Sequence, residues 1–114
     1  MSDFHRNLTK EKWQRLPFFE QMANVGVEIG RTINWHKKDK KISVAAFERG
    51  LELLDMTIED QKNRKYLKEI CRLREVLADY FYFDNIYHST DGNWQSYFYG
   101  FNYATAINRE NSNI

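Results

Sequence analysis

The sequence predicts an all-α fold, an antiparallel four-helix bundle preceded by a short N-terminal helical arm, and three observations carry the prediction. In four separate segments apolar residues recur at spacings of three and four, the period of a helix with one face turned inward. One proline and five glycines in 114 residues leave room for long uninterrupted elements. No segment sustains a period-two alternation of apolar and polar residues, so a sheet is not expected. A chain of this length matches one domain and can bury a core without staples. The expected organisation is an arm over residues 1–16, the bundle over 17–107 and a flexible polar tail over 108–114.

The arm is expected to be helical around Thr9 to Leu16. The first long segment, "PFFEQMANVGVEIGRTINWHKK", opens with Pro17, whose fixed φ and missing N–H suit a first helical turn. Phe19, Met22, Gly26, Ile29 and Ile33 form its predicted seam. Gly26 and Gly30 each cost ~1 kcal/mol relative to alanine in a helix interior. Close approach of a neighbouring backbone is the expected reason. "HKKDKK" reads as a solvated turn, and Ser43 as the N-cap of a second helix with the seam Phe47, Leu51, Leu54 and Ile58. The opposite face of that helix carries Glu48, Glu52, Asp55 and Glu59.

The third segment repeats Tyr66, Ile70, Leu73, Leu77 and Tyr80, and its first half is basic: Lys62, Arg64, Lys65, Lys68, Arg72 and Arg74 against a single Glu69. "DNIYHSTDGN" has the composition of a loop that ends one helix and caps the next. The fourth segment, "NWQSYFYGFNYATA", sets Trp94, Phe98, Phe101 and Thr105 on one line, and these side chains are expected to face the core. Tyr99 and Tyr103 lie four apart on a flank, where a tyrosine can bury its ring and keep its hydroxyl wet. With Tyr80, Tyr82 and Tyr87 expected nearby, they form a candidate partner interface or, beside cationic side chains, a base-stacking platform.

A formal charge of +1 removes the strong electrostatic argument for nucleic acid, so any RNA contact must rest on a local patch. Lys62, Lys65, Lys68 and Arg72 are the candidates; the bland alternative is a solvated face or pairing with acidic side chains. The single cysteine, Cys71, forms no internal disulfide and fits a reducing compartment. No leader pattern opens the chain and no stretch reaches the ~18 apolar residues of a membrane span. A cytoplasmic location is therefore expected, with no membrane partner. His5, His36 and His88 lie in the arm, at a helix end and in a loop, and none has Glu-x-x-His spacing. Neither a metal nor any other cofactor is expected, and no glycine-rich phosphate loop is present.

Arg31 is followed after four residues by His36, an arrangement that resembles the Arg-x4–6-His motif of HEPN domains, small helical bundles many of which are metal-independent RNases. The resemblance implies that Arg31 would stabilise charge at the scissile phosphate and His36 would serve in general acid–base catalysis. Thr32 stands where that family commonly carries an amide or carboxylate. The other reading is a surface arginine and a helix-terminal histidine favoured by the macrodipole.

The stretches "AFERGLELLDMTIED", "KNRKYLKEI" and "NWQSYFYGFNYA" resemble a set of small uncharacterised bacterial all-helical proteins, over Phe18 to Ala106. That resemblance implies a bacterial or mobile-element origin and a single helical domain, and it carries over no functional residue. In architecture the chain is also similar to the four-helix accessory proteins of diversity-generating retroelements, which oligomerise and hold RNA and a reverse transcriptase on basic surfaces. The expected function is thus a non-enzymatic accessory or adaptor protein. It would self-associate or dock a protein partner through Tyr99 and Tyr103, with RNA contact on the basic helix face. The alternative is a HEPN-like RNase of toxin or defence type using Arg31 and His36.

Overall fold

The computed structural model describes residues 9–112, without the side chains of 108–112. Its elements are α1 (Lys10–Gln14), α2 (Phe18–Trp35), α3 (Lys40–Glu59), a 3-10 helix (Gln61–Tyr66), α4 (Leu67–Tyr82) and α5 (Asp91–Ser112). No strand occurs among the described residues. The helix α5 runs to Ser112, through most of the stretch expected as a tail, and His5 lies outside the described residues.

Local chemistry sets the boundaries. Thr9 caps α1 by accepting a hydrogen bond from the Lys12 N–H at 3.1 Å. Pro17 is the N-cap of α2 rather than its first helical residue, with φ −60° and ψ 154°. Asp39, not Ser43, caps α3: one carboxylate oxygen accepts from the N–H groups of Lys41 and Ile42 at 3.0 and 3.3 Å. The helix therefore starts inside "HKKDKK", and Ser43 is buried within it, donating its hydroxyl to the Thr32 carbonyl at 2.7 Å. At the start of α5, Thr90 and Asn93 form a reciprocal capping pair.

The core is built around α2, which packs chiefly against α3 and α5, while α3 also meets α4. Met22, Val25 and Ile29 of α2 meet Phe47, Leu53 and Leu54 of α3, Ile70, Leu73 and Leu77 of α4, and Trp94 and Phe98 of α5. The approach of α5 to α2 is close, because a Cβ on Gly26 would stand 2.8 Å from the Phe98 Cβ. Gly30 has no such neighbour within 4 Å, contrary to the expectation that both glycines accommodate a backbone. Ring contacts also join α2 to the 3-10 helix and to α5, and α4 to α5. Phe18 stacks on Tyr66 at 4.2 Å and meets Phe101 edge-on at 6.0 Å, while Tyr80 reaches Trp94 at 6.5 Å. On the inward line of α5, Trp94 and Phe98 are buried as their spacing predicted, and Phe101 packs half-buried against them.

A buried polar network locks the arm to the helices it packs against. Trp13 is fully buried and its indole N–H donates to the Thr57 hydroxyl at 3.0 Å. The Gln21 amide donates to the Trp13 carbonyl and to Asp60, both at 2.9 Å, and Asn63 donates to the Gln21 side-chain oxygen at 2.8 Å. Polar groups removed from water must find such partners, so these contacts fix the relative placement of α1, α2, α3 and the 3-10 helix.

Candidate functional site

The Arg31–His36 pair is separated around the helix. Five residues at ~100° each put the two side chains ~140° apart on α2. Arg31 engages Glu28 at 3.5 Å, and Arg49 of α3 approaches the other carboxylate oxygen of Glu28 at 3.7 Å. Glu28 is buried, and a charge in that position needs partners of this kind. His36 instead forms the C-cap of α2 and lines a cleft with Lys40, Ser43, Phe47 and Tyr82, which Arg31 does not border. The two residues thus face different surroundings, half-exposed Arg31 paired with buried Glu28 and His36 at an exposed corner.

The four basic candidates differ in freedom. The Lys62 amine donates to the Gln14 carbonyl at 2.8 Å and forms an ion pair with Asp60. Burial by itself would raise the Asp60 carboxyl, but hydrogen bonds from the Lys62 amine, the Gln21 amide and the Lys62 backbone N–H outweigh it and hold the group below the usual carboxylate range. Lys62 is therefore part of the polar lock. Lys65 lies over the Tyr66 ring at 5.1 Å and Arg72 over Tyr87 at 5.4 Å, both exposed, and Lys68 is exposed between them. Neighbouring Arg74 is tied to Asp55 at 2.7 Å, which raises its pKa further.

Tyr99 and Tyr103 are 67% and 60% exposed, too open to serve the core. The other tyrosines do not join them. Tyr80 donates its hydroxyl to Asp91 at 2.6 Å, and burial with that carboxylate pushes its pKa up to about 12. Tyr82 packs on Phe47 at 4.8 Å, and Tyr87 bonds Glu75 at 3.2 Å. What surrounds Tyr99 is the groove between α2 and α5, bordered by Gly30 and Asn102. Residues 92–108 contain no Asp, Glu, Lys, Arg or His, although 29% of the chain is Asp, Glu, Lys or Arg. This uncharged outer face was legible as a gap in the charge pattern, a signal that the ring periodicity obscures.

A second apolar surface follows α4. Phe83 and Ile86 are 73% and 68% exposed, in a loop held by buried Asp79, whose carboxylate accepts the Ile86 and Tyr87 N–H groups at 3.0 and 3.1 Å. Asn85 and His88 adopt positive φ there, 53° and 54°. Cys71 is exposed beside this loop. Among the described residues no group of three or more His, Cys, Asp or Glu could hold a metal ion, and no helix is long and apolar enough to cross a membrane.

The fold and its surfaces define an all-helical protein with an uncharged aromatic face and a separate basic one. No family model, curated protein or solved structure matches the chain.

Proposed function

We propose that this chain is an antiparallel four-helix bundle acting as a non-enzymatic accessory protein, docking a protein surface through the outer face of α5. The observation that carries the reading is that residues 92–108 include no charged side chain while the outer side of their helix is exposed and crested by Tyr99 and Tyr103. Protein interfaces are depleted in charge at their centre and enriched in tyrosine, and a face meant only for water would carry the charges found elsewhere in this chain. The exposed Cys71 thiol suits a reducing compartment, and the cytoplasm is the proposed location.

The test is affinity recovery from the native host of the wild type and of a Tyr99→Ser/Tyr103→Ser variant, after gentle crosslinking. The variant should keep its melting temperature and lose the protein recovered with the wild type, whether a second copy or another chain. Equal recovery from both would remove the reading. RNA contact is a second reading, supported by exposed Lys65, Lys68 and Arg72 with aromatic rings beside two of them. Against the nuclease reading stands the engagement of Arg31 with Glu28, and the cleft that His36 lines does not include Arg31.

A further inference from the structure

We infer that the occupant of the α2–α5 face is a second copy of this chain, in a two-fold dimer where each protomer's tyrosine ridge seats in the other's groove; the inference rests on the docking reading above.

Small residues, Ala23, Gly30 and Ala106, open the groove between larger apolar side chains such as Ile33 and Tyr99. Two adjoining hollows of ≈ 330 and ≈ 200 Å³ share Asn102 and run between the helices over Ala23, Val27, Gly30 and Ala106. Val27 is 52% exposed there, a β-branched apolar side chain with water on its open side. Gly30 meets nothing within 4 Å of where its Cβ would be, so no contact inside the chain accounts for a glycine at this helix-interior position. A helix-interior glycine facing outward is accounted for by another surface that approaches closely.

Two buried polar groups on this face also lack partners within the described structure. The Trp94 indole N–H and the Thr105 hydroxyl are unbonded, Trp94 lining one hollow and Thr105 the other. Both atoms are closed off from solvent, so they form a polar floor beneath the hollows rather than groups that an incoming surface would touch directly.

Self-pairing is favoured over another partner by the layout. A two-fold interface brings one patch against itself, so the patch must hold both ridge and groove. Here the ridge, Tyr99 and Tyr103, lies on the flank of α5 next to the groove. The patch must also tolerate its own charges. Residues 92–108 have none, whereas the Glu48–Glu52–Glu59 face of α3 and the Lys65–Lys68–Arg72 stripe along the 3-10 helix and α4 would repel their own copies. Among the described residues that line the groove, Glu20 at one end is the one that brings a charge. Side by side, helices of 18 and 22 residues, ~27 and ~33 Å long, offer a strip of the order that a standard interface covers, ~800 Å² per partner.

Sedimentation velocity on the full chain over a dilution series tests the inference. At about 100 μM, well above the range of stable dimers, the wild type should sediment at twice the protomer mass of 13.8 kDa. Gly30→Lys and Tyr103→Glu should each raise the dimer dissociation constant by about 30-fold or more, the scale of an interface hot spot. Both substitutions sit on open surface, and an unchanged circular dichroism spectrum and melting temperature at dilution show that the protomer still folds. Mixing the two variants should restore association, because one ridge–groove contact is then native and the other places lysine against glutamate. A monomeric wild type at that concentration overturns the dimer, as does a dimer that both variants leave intact or that mixing does not rescue. The docking reading fails separately, when the tyrosine variant recovers every protein that the wild type recovers, a second copy included.

Discussion

Gly26 of α2 lies directly against Phe98 of α5: a Cβ built on the glycine would stand 2.8 to 2.9 Å from the Cβ, Cγ and Cδ1 of the ring-bearing side chain. Those atoms are near the α5 backbone, so a rotamer change cannot clear them and the helices must move apart. Replacing Gly26 by Ala gains ~1 kcal/mol of helix propensity but costs typically ~1–3 kcal/mol in overpacking. Gly26→Ala should therefore leave stability unimproved or lower it by up to ~2 kcal/mol. Gly30→Ala, with open space around it, should raise protomer stability by up to ~1 kcal/mol. Urea denaturation of both variants at low protein concentration makes the comparison. Equal gains would mean that α5 does not approach α2 as described.

Of the hydrogen bonds that hold the arm, the one from the Trp13 indole has a defined cost of loss. Thr57 accepts from the Trp13 indole and donates to the Leu53 carbonyl at 2.8 Å. Thr57→Val keeps the shape and strands the indole donor, so stability should fall by ~1–3 kcal/mol. Trp13→Ala should cost ~3–5 kcal/mol, since it empties a fully buried site. If thermal unfolding of Trp13→Ala matched the wild type, α1 would not belong to the folded core.

The apolar seams were legible because their period is. Met22, Ile29, Phe47, Leu54, Ile70, Leu73, Leu77, Trp94 and Phe98 are all buried where spacing placed them. Phe19 is not: it is 44% exposed, and Val25, off the expected line, is fully buried. The reason is that α2 contacts both α3 and α5, so its inward arc is wider than one seam and takes in Gln21, Glu28 and Thr32 as well. Periodicity of apolar residues cannot reveal buried polar ones, and the lock around Gln21, Asp60 and Asn63 was invisible for that reason. Asp39 was hidden by its lysines, although aspartate caps as well as serine. Tyr99 and Tyr103 could be placed on a flank from spacing. Their neighbourhood could not, because it depends on which helix lies alongside.

Asp60 gives the lock a pH signature. Its folded-state pKa lies below the ordinary aspartate value, held there by the Lys62 and Gln21 hydrogen bonds against the opposing effect of burial. A carboxyl depressed by folding contributes stability that is fully present above its unfolded value and is lost as pH falls through the folded one. Stability should therefore decline below about pH 4 in part through this group. In Asp60→Asn that part of the acid slope should vanish, with lower stability at neutral pH because Lys62 loses its ion-pair partner. Urea midpoints measured from neutral to strongly acid pH provide the check, and an unchanged slope in the variant would assign the acid sensitivity to other carboxylates.

The basic residues separate into two kinds, and substitution should tell them apart. Lys65, Lys68 and Arg72 are open to solvent, whereas Lys62 is anchored to Gln14 and Asp60. Replacing the exposed three by Gln should leave the melting temperature nearly unchanged, as surface charges contribute little to stability. If the α4 face holds single-stranded RNA, the same triple variant should weaken binding and reduce the slope of log affinity against log salt by ~2, at ~0.7 for each phosphate no longer neutralised. Lys62→Gln should do the reverse, lowering the melting temperature and leaving the salt slope in place. Fluorescence anisotropy with a labelled oligoribonucleotide across a salt series, beside thermal melts of the same proteins, reads both effects. Binding unmoved by the triple variant would make the stripe a solvated face, and a salt slope that fell with Lys62→Gln alone would place the RNA at the 3-10 helix instead.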